Sequence, residues 1–239
     1  MKVLQNWNEV GSAVNNLKRT GLPLHTDPAK CWDFNNIREL FLEKVQNRRA
    51  HIVDLGCGPS MHGCMTLELL RCMGYKNLIG IDFHVPLYTR LAAKMRGLLK
   101  HHSLKPYQMK RADITCTGLN DNMVDASILL SVVEHGVNLD KLFLELYRIM
   151  KKGGIVYLST DYWEDTLRGA PTSAASGAFR NSNFAWSIFD RSSIKAIVGI
   201  AEKNGFQACD YGEIPSCTDR PVFWNSVYYT FIAVVFVKI

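Results

Sequence analysis

Short apolar runs alternate along the middle of the chain with longer segments whose apolar residues recur at helical spacing. The runs HIVDL (51–55), NLIGID (77–82), YQMKRAD (107–113), ASILLSVV (126–133) and IVYLST (155–160) predict strands. They are apolar on both faces, as a sheet requires when helices cover it on each side. The best-marked helix follows Asn138 as N-cap and sets Leu139, Leu142, Phe143, Leu146, Ile149 and Met150 along one face. Its expected stop is Lys151-Lys152-Gly153, basic residues and a glycine at a C-terminus. Another helix is expected from Asp190 to Asn204-Gly205, with Phe189 and Ile194 placed to pack across its first turn. Segments 63–73 and 85–100 read as further helices. Strands alternating with helices predict an α/β fold with a doubly wound, mostly parallel sheet.

Two stretches stand outside this alternation. Residues 1–48 show helical periodicity around Val10–Leu17 and Ile37–Val45, joined by GLPLHTDPAKCWD, and are expected to form an N-terminal helical cover over a substrate. Residues 161–187 contain the small-residue tract APTSAASGA and are an expected lid, because long irregular segments in compact domains are usually functional or mobile. The remainder, 49–239, is expected to be one globular unit that includes this lid.

Composition narrows the setting. The 239 residues contain no apolar run long enough to span a bilayer, and MKVLQNWNEV is too polar for a secretion signal, so a cytoplasmic protein is expected. Seven cysteines without a CxxC pair read as reduced thiols, and His62 with Cys64 lacks a second pair of ligands, so no metal is expected. The formal charge of +6 favours anionic partners in general. Its residues are scattered in pairs such as Arg48-Arg49, Lys110-Arg111 and Lys151-Lys152 rather than gathered in a stripe, which disfavours a nucleic-acid partner.

The chemistry concentrates in IVDLGCGPS (52–60), where a strand runs into a Gly-rich turn and then a helix. Such a turn lets backbone approach a ligand closely, beside the free N–H groups of a helix start. Met61 stands where a dinucleotide-binding turn needs its last small residue, and Asp54 stands just ahead of the first glycine, so that reading is weakened. Asp82 and Asp113 close the next two expected strands. In a doubly wound sheet the carboxyl ends of adjacent strands face one crevice, which would line up the three aspartates. Asp54 would suit an ammonium, Asp82 a pair of ribose hydroxyls and Asp113 an adenine amino group.

Together these segments resemble the class I S-adenosylmethionine-dependent methyltransferases, particularly the small-molecule group related to the ubiquinone-biosynthesis enzymes. The likeness is carried by VDLGCGPS (53–60), IGID (79–82), RADIT (111–115), DASILLSVVEHG (125–136) and RIMKKGGIVYLST (148–160), in the family's order. It implies a seven-stranded sheet whose last strand runs antiparallel beside the fifth, with FQACDYGEI (206–214) and VYYTFIAVVFVKI (227–239) as closing strands. It also implies S-adenosylmethionine as cofactor, held by Asp54, Gly56, Cys57, Gly58, Asp82, Phe83, Asp113, Ile114, Ser131 and Val132. Pro59-Ser60 replaces the family's third small residue, with Ser60 still able to cap the helix, and Lys152 replaces a turn proline. Ser131 stands where metal-binding relatives carry a glutamate, so the resemblance implies no metal here.

Methyl transfer demands collinear nucleophile, methyl and sulfur, and a hydroxyl nucleophile must also lose a proton. His135 is a candidate base, as is Glu134. His25, Trp32, Tyr162, Trp163 and Trp186 are candidate substrate contacts, and Asp27, Lys30 and Asp33 lie in the same covering segment. The expected activity is methyl transfer to a small-molecule acceptor, with oxygen favoured because no Asn/Asp-Pro-Pro-Tyr segment follows the fourth strand. The competing expectations are an RNA-modifying methyltransferase and a non-catalytic cofactor-binding module. Oligomeric state is not legible in the sequence.

Overall fold

The computed structural model describes residues 1–58, 64–88, 91, 107–165, 186–210, 212–217 and 219–239. The apolar runs form strands β2 (His51–Leu55), β3 (Asn77–Asp82), β4 (Gln108–Arg111), β5 (Val124–Leu130) and β6 (Met150–Tyr162). They pair in parallel in the order β6-β5-β2-β3-β4. The final strand, β9 (Val227–Lys238), runs antiparallel beside β6. Three short strands pair with successive parts of β9: β1 (Lys2–Val3), β7 (Phe206–Ala208) and β8 (Val222–Trp224).

The sheet thus has nine strands among the described residues, not seven. The additions are too short to show periodicity. β8 folds back onto β9 through Asn225 and Ser226, both at positive φ (49° and 65°), the tight geometry whose twist matches a hairpin.

Alternation along the strands divides the core between two faces. Ile52, Ile128 and Tyr157 pack beneath α1 (Trp7–Arg19), α2 (Cys31–Lys44) and α3 (Met65–Cys72), against Val10, Leu17, Phe34, Phe41 and Leu67. Val53, Leu55, Val156 and Leu158 point the other way, toward α4 (Leu139–Ile149) and α5 (Arg191–Lys203). The caps at Asn138 and Asp190 form as expected, accepting from Lys141 N at 3.0 Å and Ser193 N at 2.8 Å. Among the described residues no helix is long and apolar enough to cross a membrane.

Four boundaries differ from the sequence expectation. β5 stops at Leu130, because Ser131 takes φ +53° and Val133–His135 form a 3-10 turn. α4 stops at Ile149, where Met150 turns extended, so Lys151-Lys152-Gly153 lie in β6 rather than ending the helix. α2 begins at Cys31, directly after a 3-10 turn at Pro28–Lys30 whose Asp27 cap accepts from Ala29 N at 3.0 Å. Of FQACDYGEI only Phe206–Ala208 is strand. Pro59, Ser60, Met61, His62, most of the helix expected over 85–100, and residues 166–185 of the expected lid lie outside the described residues.

Candidate active site

Where β2 ends, the chain turns so sharply that Gly56 N and Cys57 N both donate to Ile81 O, at 2.8 and 3.3 Å. Gly56 has φ +77°, and a Cβ there would lie 2.5 Å from Val132 Cγ2, so only glycine fits between this turn and the end of β5. Asp82 fastens the turn from the neighbouring strand. Its carboxylate accepts from Gly58 N at 3.0 Å and from His84 N at 2.8 Å.

Asp54 is buried one strand over, where Cys64 Sγ donates to it at 2.8 Å. Burial pushes its carboxyl up to about 7; hydrogen bonds from Cys64 and Thr66 oppose the shift and the Asp82 charge adds to it. An acid in that state gains from the arrival of a cation. Beside it lies a cavity of about 240 Å³ lined by His25, Thr26, Asp54, Gly56, Cys57, Gly58, Met65, Thr66 and Leu130. Asp113 lies two residues beyond β4 and is exposed, with one carboxylate oxygen accepting from both Thr115 N and Thr115 Oγ1 at 2.8 Å. Phe83 is exposed, whereas Ile114 packs against the α4/α5 face of the core. Cys57 directs its sulfur at β3, where a Cβ on Gly80 would come within 2.9 Å of it.

A second constellation occupies the ends of β5, β6 and β9. Lys30 reaches in from the N-terminal segment and hydrogen-bonds Ser131 Oγ. Its ammonium lies 3.7 Å from Asp33 Oδ2 and 3.3 Å from the centre of the Phe231 ring. Glu134, only 1% exposed, accepts from Thr160 Oγ1 at 2.9 Å, while its other oxygen has no hydrogen-bond partner. Asp161 accepts from Trp186 Nε1 at 2.8 Å, and the Trp186 ring meets Tyr229 edge-on at 5.8 Å. Burial, reinforced by the Asp161 charge, pushes the Glu134 carboxyl up to about 8, against the opposing pull of Lys30. Burial raises Asp161 as well. The cluster therefore sets two buried carboxyls, Glu134 and Asp161, with raised pKa around one ammonium.

The candidate substrate residues separate. Trp186 joins the carboxylate cluster and His25 lines the cavity by Asp54, where burial lowers its pKa. Trp32 donates to Glu9 Oε2 at 3.1 Å and packs in the core beneath α1 and α2. Tyr162 and Trp163 belong to the opposite face of the sheet, with Arg220 stacked 4.0 Å over the Trp163 ring. Of these aromatic residues, Trp186 is the one bonded to the carboxylate cluster, while Tyr162 and Trp163 pack together in the α4/α5 face of the core. His135 is half-buried on the 3-10 turn, its N–H donating to Val132 O at 3.2 Å. Thr66, Thr160, Asp161, Tyr229 and Phe231 were not anticipated. The one available signal was Ser159-Thr160-Asp161, a polar run closing a strand otherwise apolar in its second half.

A parallel sheet with its Gly-rich turn and acidic strand ends on one edge defines a nucleotide-binding α/β fold of the methyltransferase type. Residues 53–158 match the model of the methyltransferase-domain family. Geranyl diphosphate C-methyltransferase from Streptomyces coelicolor A3(2) is similar in structure at a TM-score of 0.59, with 15% identity over 92% of this chain and 87% of that one. A methyltransferase from Methanosarcina mazei matches at a TM-score of 0.58, with 17% identity over 81% and 94% of the two chains. The [4+2]-cyclase SpnF matches at 0.56, with 14% identity over 85% and 72%. No match is found among curated proteins. Residues 53–158 thus carry a methyltransferase domain, on a fold shared with S-adenosylmethionine-dependent methyltransferases; the narrower likeness to the ubiquinone-biosynthesis group gains nothing from these matches.

Proposed function

We propose that the protein is a cytoplasmic enzyme that transfers a methyl group from S-adenosylmethionine to an oxygen of a small-molecule acceptor. The donor lies across the ends of β2, β3, β4 and β5. Its ammonium end faces Asp54, its ribose hydroxyls face Asp82, and its adenine lies toward Phe83, Asp113 and Ile114. Cys57 contributes backbone only, and Ser131 and Val132 close the donor site from the β5 side. The acceptor enters beside them, toward Glu134, Asp161 and Trp186. His25 and the N-terminal segment 1–48 cover it.

The observation that carries the oxygen reading is the buried Glu134, whose unpartnered oxygen stands just past the strand that would meet the transferable methyl. When a hydroxyl attacks the methyl, the C–S bond breaks, sulfur keeps the electron pair, and the hydroxyl proton passes to the Glu134 carboxylate. Glu134 is favoured over His135 because it is enclosed with Asp161, Lys30 and Thr160, whereas His135 lies on the outer part of the turn. With its carboxyl at about 8, turnover should rise as the pH passes from 7 to 9, since only the ionised form accepts a proton.

Incubation with methyl-labelled S-adenosylmethionine and separate pools of small metabolites, RNA and protein tests the reading. Label is expected in the small-molecule pool, as a methyl ether or ester by mass spectrometry and NMR. Transfer confined to RNA or protein, or to nitrogen, would contradict it.

A further inference from the structure

Ser131 is the first residue after β5 and holds φ +53°, a conformation that L residues other than Asn and Asp rarely adopt. Such an outlier persists only when its surroundings over-determine it. Two contacts do so here. Ser131 N donates to Ser159 O at 2.9 Å, and the side-chain oxygen is bonded to the Lys30 ammonium. Lys30 is itself fixed on every side. Asp33 lies one helical turn along, the Phe231 ring lies beneath, and Glu134 and Asp161 act on it from the β5 and β6 ends. The next residue, Val132, seats both methyl groups where a Cβ on Gly56 would be, within 2.9 Å. One line of contacts therefore runs from the N-terminal segment, through Lys30, Ser131 and Val132, into the Gly56 turn.

The geometry points to Lys30 as a positioning residue for the donor: it holds Ser131 left-handed and so presses Val132 onto the Gly56 turn, completing the donor site only when the N-terminal segment is docked. This rests on the reading that S-adenosylmethionine lies between the Gly56–Gly58 turn and Ser131-Val132. Lys30 touches neither methyl nor sulfur in this scheme. It acts through backbone shape, and the region that covers the acceptor thereby also governs donor affinity.

Calorimetry with S-adenosylhomocysteine tests this on the full chain and needs no acceptor. Lys30→Met keeps the stem over Phe231 and removes the ammonium, and should weaken binding about tenfold, the scale set by one left-handed residue losing its support. Lys30→Arg, which restores a donor to Ser131 Oγ, should recover most of the loss. The decisive variant is Lys30→Met with Ser131→Gly. Glycine adopts positive φ unaided, so binding should return to within about threefold of wild type. A charge-balancing role for Lys30 among the carboxylates would leave that double variant as weak as Lys30→Met. If Lys30→Met does not fold, Ser131→Ala carries the same test, with a comparable loss expected. Wild-type binding with equal affinity in Lys30→Met, or no rescue by glycine, overturns the inference alone. Absence of binding to the wild type overturns the donor-site reading beneath it.

Discussion

The two halves of the crevice are built in different ways. On the β2–β3–β4 side, residues 52–58 and 79–84 supply nearly everything: a glycine turn, a carboxylate that pins it, and backbone N–H groups already bonded to it. On the β5–β6–β9 side, Lys30, Ser131, Glu134, Asp161, Trp186 and Tyr229 converge from five separate parts of the chain. The first half has two buried aspartates and a turn that tolerates only glycine; the second has the buried acids Glu134 and Asp161, whose pKa values burial raises. One half can be preorganised by local chain geometry. The other depends on the tertiary fold being complete.

The sharpest way to break the contrast is Asp82→Ala. It removes the acceptor of Gly58 N and His84 N together with the proposed ribose contact, and should weaken S-adenosylhomocysteine binding on the order of 100-fold by calorimetry, since hydrogen bonds to charged groups carry about 1.5–3 kcal/mol each. A loss below threefold would place the nucleoside elsewhere.

A smaller effect separates the halves by pH. Donor binding that needs ionised Asp54 should weaken on the order of tenfold as the pH falls from 7.5 to 6, and Asp54→Asn should flatten that dependence. Glu134→Gln should leave the slope in place.

The smallest effect concerns stability and sharpens the acceptor side. A carboxyl whose folded pKa is raised favours the folded state most below its ordinary value, and that contribution is lost as the pH rises toward about 8. Glu134→Gln should therefore raise the melting temperature at pH 8 by about 2–4 °C, corresponding to ~1 kcal/mol, with the difference shrinking at pH 5. Equal shifts at both pH values would mean that Glu134 does not titrate in this range.

The same contrast explains what the sequence revealed. Strands β2, β3 and β9 matched their apolar runs closely because alternation and β-branched residues act locally. Asp54 and Asp82 were recognisable because strand end and glycine turn are contiguous in the chain. The end of β5 was misjudged by apolar Val132-Val133, since a single positive φ at Ser131 overrides the pattern. Asp161, Tyr229 and the contact of Lys30 with Ser131 were illegible, because residues 101 positions apart meet only through the docking of α2 on the sheet. The face that Tyr162 occupies was illegible for a related reason: an aromatic residue at a strand end does not announce which side of the sheet it will pack on.

A crystal structure with S-adenosylhomocysteine bound tests the central claim most directly. The account predicts the amino group facing Asp54, both ribose hydroxyls on the Asp82 carboxylate, and the sulfur directed between Ser131-Val132 and the Glu134 cluster. A nucleoside bound away from Asp82, or a sulfur turned from the β5 end, would contradict it.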